Sequence, residues 1–261
     1  MTHDVDITPT GTPPMFAGHA SHTRRRPVMA MRWSELLFAH WPVDAEALRT
    51  KLPEALRPHL DTFEGKAWLG VVPFVMSRVR GLVGSIGLPA VPGLSRFPEL
   101  NLRTYVNVDG VPGVWFFSLD AHHRIAVRTA RLTFGLPYFN AHMRCTTHEG
   151  DCIDYRSRRT HRSVPAAEFD ATYQATGPAL VTQPGTLEHF LTSRYCLFSQ
   201  RRGKLLRGDI THEPWRLRPA SCELRQCDMT RLIDMPLPQA PPHLLFAEPL
   251  DVRAWWPRSV S

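Results

Sequence analysis

The chain has 261 residues and a formal net charge of +7 with its histidines neutral; Lys51, Lys66 and Lys204 are its only lysines, the other basic residues being arginines. Its 43% hydrophobic and 10% aromatic content suits a globular protein with a sizeable core, as one large domain or two small ones. No apolar run reaches the roughly 18 residues of a membrane span, and the basic residues are scattered apart from short runs at 24–26, 156–162 and 201–207, so neither a membrane nor a specific nucleic acid is an expected partner.

Residues 1–28 are polar and rich in Pro, Thr and His. They hold too few apolar groups to offset the entropy of ordering, so a disordered arm is expected there. They contain no apolar h-region, and Arg24-Arg25-Arg26 leads into Pro27-Val-Met-Ala-Met31 and a charged amphipathic segment rather than an export signal. The cysteines Cys145, Cys152, Cys196, Cys222 and Cys227 include no C-x-x-C pair and no structural zinc spacing. Free, mostly buried thiols in a cytoplasmic protein are expected, with no metal and no cofactor.

A single domain is expected over 31–256. Residues 33–41 mix large apolar side chains with Glu35 and His40 and read as a strand. Asp44 is a natural N-cap for a short helix that turns Leu48 and Leu52 inward, and Pro53 and Pro58 end it. A turn at 61–65 precedes a long strand at 67–79, with Trp68, Val72, Phe74 and Met76 on one face; Pro73 lacks an N–H and marks an edge or a bulge. Residues 81–98 are rich in Gly and Pro without periodicity, and both a lid and a surface loop without a role remain open readings.

The stretch 97–145 organises the rest. Side chains alternate faces along a strand. Glu99, Asn101, Arg103, Tyr105 and Asn107 form one row; Leu100, Leu102, Thr104, Val106 and Val108 form the other and suit a core. Asp109-Gly110 reads as a tight hairpin turn. The return strand, 114–119, is apolar on both faces, which is the pattern of a central strand covered on both sides. Its neighbour should be covered too, so the row Glu99, Asn101, Arg103 faces a polar cavity; a solvated sheet face is the other reading.

Further on, 122–134 reads as a helix with Gly135 beyond its end, and Tyr138, Asn140, His142 and Arg144 share one face of the next strand. After a turn at 148–151, residues 152–160 read as a basic, exposed strand, and 166–175 as one more. A Thr186-capped helix to about residue 194 precedes a hairpin turning at 200–203, short strands after Trp215, one helical turn at 229–233, a Pro-rich piece at 236–242 and an apolar stretch at 243–246. Many short strands with two or three helices argue for a mainly β (α+β) single domain of curved sheets or a barrel.

No phosphate loop, dinucleotide fingerprint, nucleophile elbow or zinc-protease motif is present. The candidates are therefore the inward polar residues. Arg103 can hold a carboxylate with its forked guanidinium. Glu99, four residues earlier and about 13 Å away, can act as an acid or base if burial raises its pKa. Asn101, Tyr138 and Asn140 could add donors, and His40, His142, Tyr195 and His212 are weaker candidates. A small anionic ligand is the expected partner, with oligomeric state left open; the alternative is a structural or interaction module whose polar row only stabilises the fold.

Seven segments resemble the YqjF-like bacterial domain family: Leu37-Phe-Ala-His-Trp-Pro42, Asp61-Thr-Phe-Glu-Gly-Lys-Ala-Trp-Leu-Gly70, Phe97-Pro-Glu-Leu-Asn-Leu-Arg-Thr-Tyr105, Gly113-Val-Trp-Phe-Phe-Ser-Leu-Asp-Ala121, Leu136-Pro-Tyr138, Arg194-Tyr195-Cys196 and His212-Glu-Pro-Trp215. More remotely that family is similar to the acetoacetate decarboxylase-like superfamily, which implies a β-barrel-like fold around a central pocket. Pro98-Glu99 resembles the acidic strand start of those decarboxylases. Gly135-Leu-Pro-Tyr-Phe139 resembles their G-[FY]-P-K-K motif, but Tyr138 and Phe139 stand where the lysines would be. Without that lysine nucleophile the resemblance does not imply Schiff-base decarboxylation.

Overall fold

The computed structural model describes residues 25–83, 86–87, 96–123, 127, 131 and 134–260, with 86–87 as backbone only. In chain order the strands are β1 (Met29–Ser34), β2 (Leu36–Val43), β3 (Ala67–Val83), β4 (Ile86–Gly87), β5 (Arg96–Val108), β6 (Val111–Ala121), β7 (Tyr138–Thr147) and β8 (Ile153–Arg159). They continue with β9 (Glu168–Ala175), β10 (Leu180–Val181), β11 (Cys196–Arg201), β12 (Lys204–Thr211), β13 (Arg216–Cys227), β14 (His243–Ala247), β15 (Leu250–Ala254) and β16 (Arg258–Ser259). Two short α-helices are described, α1 (Ala45–Lys51) and α2 (Leu187–Thr192), capped by the Asp44 and Thr186 side chains as expected. None of the described helices is long and apolar enough to cross a membrane. The helix expected over 122–134 and the loop expected over 81–98 fall largely outside the described residues, as do residues 1–24. Residues 25–28 run against the chain end: Trp255 donates its indole N–H to the Arg25 carbonyl, and Val28 donates to Ala254.

The strands form one curved sheet in the order β1-β15-β12-β11-β6-β5-β3-β2-β14-β13-β9-β8-β7, with further pairings β1–β3 and β6–β7. β3 and β5 lie at its centre. The strand expected over 33–41 is broken in two at Glu35, whose φ of 48° turns the chain. As a result β2 pairs with the first part of β3 and β1 with its later part. Pro73 sits between these segments: β2 pairing stops at Val71 and β1 pairing starts at Val75. Pro73 is thus not on an edge. Its missing N–H falls where β3 changes partners, while the other side stays paired to Leu100 of β5.

Alternation along these strands divides the apolar residues between two clusters. Leu69 and Val71 of β3 and Leu100, Leu102 and Val106 of β5 join a cluster with Leu37, Trp41, Tyr155 and Phe169. The opposite face sends Val72, Phe74 and Met76 of β3 and Phe97 of β5 into a second cluster with Phe38 and Trp215. The 152–160 strand, expected to be exposed, is half-buried instead. Ile153, Tyr155, Ser157 and Arg159 alternate inward, and the Tyr155 hydroxyl donates to the Glu99 carbonyl at 2.7 Å. The basic residues Arg156 and Arg158 that made it look exposed occupy only its outer face.

Candidate functional site

The second cluster does not close up. It surrounds a cavity of about 290 Å³. From β5 the row Glu99, Asn101, Arg103 lines it, kept on the cavity side although a bulge interrupts the pairing with β6 between Leu102 and Arg103. Tyr138 enters from the start of β7, and Arg194, Asp209 and His212 line other parts. The expected polar row therefore looks into a cavity, but the cavity is not polar. The strands on either side of the row bring Phe74 and Met76 of β3 and Phe116 of β6, and β1, paired to β3, adds Met31 and Trp33. Their apolar side chains at alternate positions were a sequence signal for the cavity wall on either side of the row.

Glu99 is 2% exposed, and Tyr138 donates its hydroxyl proton to Glu99 Oε2 at 3.0 Å. Burial pushes the Glu99 carboxyl up to about 8, Asp120 adds to the rise, and the hydrogen bond from Tyr138 opposes it. Burial and the neighbouring Glu99 also push Tyr138 well above its ordinary value. At neutral pH the pair is mostly uncharged, with an acidic proton held among apolar walls.

Arg103 lies four residues further along the same row. Its Nη2 donates to the Tyr105 hydroxyl at 3.3 Å and to the Leu191 carbonyl at 3.5 Å, and its guanidinium carbon lies 5.0 Å from the Phe38 ring centre. It forms no ion pair among the described residues, and its Nε is buried without a partner. Other buried arginines are spent on acids: Arg194 on Asp61 at 2.7 Å and Arg159 on Asp120 at 2.6 Å. Between Glu99 and Arg103, Asn101 is 4% exposed and its Oδ1 has no partner.

The remaining candidates stand apart from this row. β7 pairs with β6 only through Asn140 and then crosses to β8, which takes its later residues away from the cavity. Asn140 accordingly bonds His161 at 3.2 Å, and His142 is exposed against the His122 ring. His40 is fully buried behind Arg103, with Nε2 2.5 Å from the Tyr105 hydroxyl. Burial and the Arg103 charge hold His40 well below its usual pKa. Tyr195 is half-buried and does not line the cavity; its ring lies 4.9 Å from that of His212, which does.

Sequence reasoning missed the buried ion pair of Asp120 and Arg159, which also engages Ser118. Burial pushes the Asp120 carboxyl up, against the hydrogen bonds and charge of Arg159. The available signal was a lone acid at the inner end of a strand otherwise apolar on both faces.

The curved, mainly β sheet is similar in fold to solved proteins of the acetoacetate decarboxylase-like class. A solved acetoacetate decarboxylase is 15% identical to this chain, with 90% of each chain covered and a TM-score of 0.59. The enduracididine biosynthesis enzyme MppR, solved complexed with pyruvate, is 12% identical, with 94% of each covered and a TM-score of 0.58. At such identities the likeness is one of fold. The chain belongs to the DUF2071 family of uncharacterized conserved proteins, which matches residues 30–251. It is 42% identical over 228 residues to the uncharacterized protein YqjF of Bacillus subtilis strain 168, covering 87% of this chain and 90% of that protein.

Proposed function

We propose that the protein binds a small carboxylate in this cavity, with Arg103 as the anion anchor. The observation that carries the reading is a half-buried guanidinium at the wall of an apolar cavity with no acid paired to it among the described residues. A cation in such a place attracts an anion strongly, because little water screens it. Small-molecule sites share this form, mostly apolar with a few placed polar groups. A protein of the same fold solved with pyruvate bound adds support. The five free thiols suit a reducing, cytoplasmic setting.

Schiff-base chemistry has no nucleophile here. Lys66 and Lys204 are exposed, Lys51 lies in α1, and no lysine lines the cavity. The test is a thermal-shift screen of small carboxylates and keto acids on wild type and Arg103→Ala. A carboxylate that raises the melting point of wild type alone supports the reading. If no acid shifts wild type and Arg103→Ala merely melts early, the polar row stabilises the fold and the structural-module reading takes over.

A further inference from the structure

We infer that the cavity takes an amphipathic monocarboxylate of about eight to ten carbons in all, its carboxylate at Arg103 and its apolar body against Trp33, Phe74 and Trp215. The inference rests on the proposed anion site and adds the size and polarity of the rest of the ligand.

Size comes from the volume. A cavity of about 290 Å³ has room for about ten water-sized groups at roughly 30 Å³ each. A three- or four-carbon keto acid would leave much of the wall bare. That wall is apolar and fixed in shape. Trp33 stacks on Trp215 with centroids 6.0 Å apart, Phe74 meets Trp33 edge-on at 5.7 Å, and Phe38 meets Trp215 edge-on at 5.3 Å. Rings held this way lose little further freedom when a ligand covers them.

The number of charges comes from the arginines. Two line the cavity, Arg103 and Arg194, and Arg194 is occupied by Asp61. One anionic end can therefore be matched. A second carboxylate would meet apolar rings or the Glu99 acid and lose its hydration without return. Asn101, whose Oδ1 has no hydrogen-bond partner, adjoins Arg103 on the same row of β5. A hydroxyl close to the carboxylate would donate to that oxygen.

Isothermal titration of wild-type protein with butanoate, hexanoate, octanoate and decanoate, all below their micelle concentrations, tests this. Affinity is expected to rise about fourfold per added methylene to octanoate and to level off by decanoate. Methyl octanoate and octanedioate should bind weaker than octanoate by on the order of tenfold, since one lacks the charge and the other carries a second. An affinity that stays flat or falls with chain length overturns the inference and leaves the anion site standing. Methyl octanoate binding as tightly as octanoate overturns the seat at Arg103. If no acid of any length binds, both readings fall together.

Discussion

The Tyr105 hydroxyl bridges His40 and Arg103, lying 2.5 Å from His40 Nε2 and accepting from Arg103 Nη2 at 3.3 Å. With His40 held neutral, the hydrogen inventory selects one arrangement: Tyr105 donates to Nε2 while its oxygen accepts from Arg103. His40 Nδ1 has no partner in either arrangement, and the reverse would also leave the Tyr105 proton without one. Arg103 is thereby held from behind, with its outward edge left for a ligand. Tyr105→Phe removes the bridge and strands two buried polar groups. Denaturant unfolding should show a loss of about 1–3 kcal/mol. Calorimetry with whichever carboxylate stabilises wild type should show weaker binding; unchanged affinity in a folded Tyr105→Phe protein would sink the positioning role.

Gly70 makes this bridge possible. It pairs with His40 on one side and with Arg103 on the other. A Cβ there would stand 2.8 Å from His40 Nε2 and 3.3 Å from Arg103 Cγ. Gly70→Ala must move a ring locked in the core, and overpacking of this kind costs about 1–3 kcal/mol. The expected result is a lower urea midpoint together with reduced carboxylate-dependent thermal stabilisation. Wild-type stability in Gly70→Ala would show that the His40 ring shifts freely.

The residue alternation of β5 was enough to place Glu99, Asn101 and Arg103 on one face and Leu100, Leu102 and Val106 on the other, because the bulge in its pairing with β6 puts the extra residue, Phe117, on β6 and leaves period 2 intact in β5. Asp44, Thr186 and Asp109-Gly110 were legible for the same reason, since caps and tight turns are local chemistry. Asn140 and His142 lie off the cavity because β7 changes partner from β6 to β8, which no local pattern encodes. The Glu35 break and the position of Pro73 are also matters of pairing. Arg159 looked like surface charge because a buried arginine differs from an exposed one only through an acid 39 residues away.

That ion pair yields a stability prediction. The Arg159 and Asp120 side chains are 3% and 0% exposed. Removing one partner leaves the other uncompensated in a dry environment, at a cost of about 3–5 kcal/mol. Arg159→Ala should therefore lose that much in urea unfolding at pH 7. Arg156→Ala, on the exposed face of the same strand, should lose no more than about 1 kcal/mol. Equal losses would mean that burial is not what makes the pair matter.

Glu99 sets a pH dependence of stability. Its carboxyl rises on folding from an ordinary value of 4.5 to about 8, chiefly through burial. Between those values the folded protein holds a proton that the unfolded chain has released. Stability therefore falls as pH rises through this window, by at most about 1.4 kcal/mol per unit, and on the order of 5 kcal/mol in all. Glu99→Gln keeps the shape and an acceptor for Tyr138 but cannot ionise. Its advantage over wild type should be small at pH 5 and grow steadily to pH 8, as measured by urea midpoints. Asp120, which titrates in the same direction, is present in both proteins, so the comparison reads Glu99 together with its coupling to Asp120. Parallel pH profiles for the two proteins would mean that Glu99 ionises normally in the fold, and that the cavity around it is wet rather than apolar.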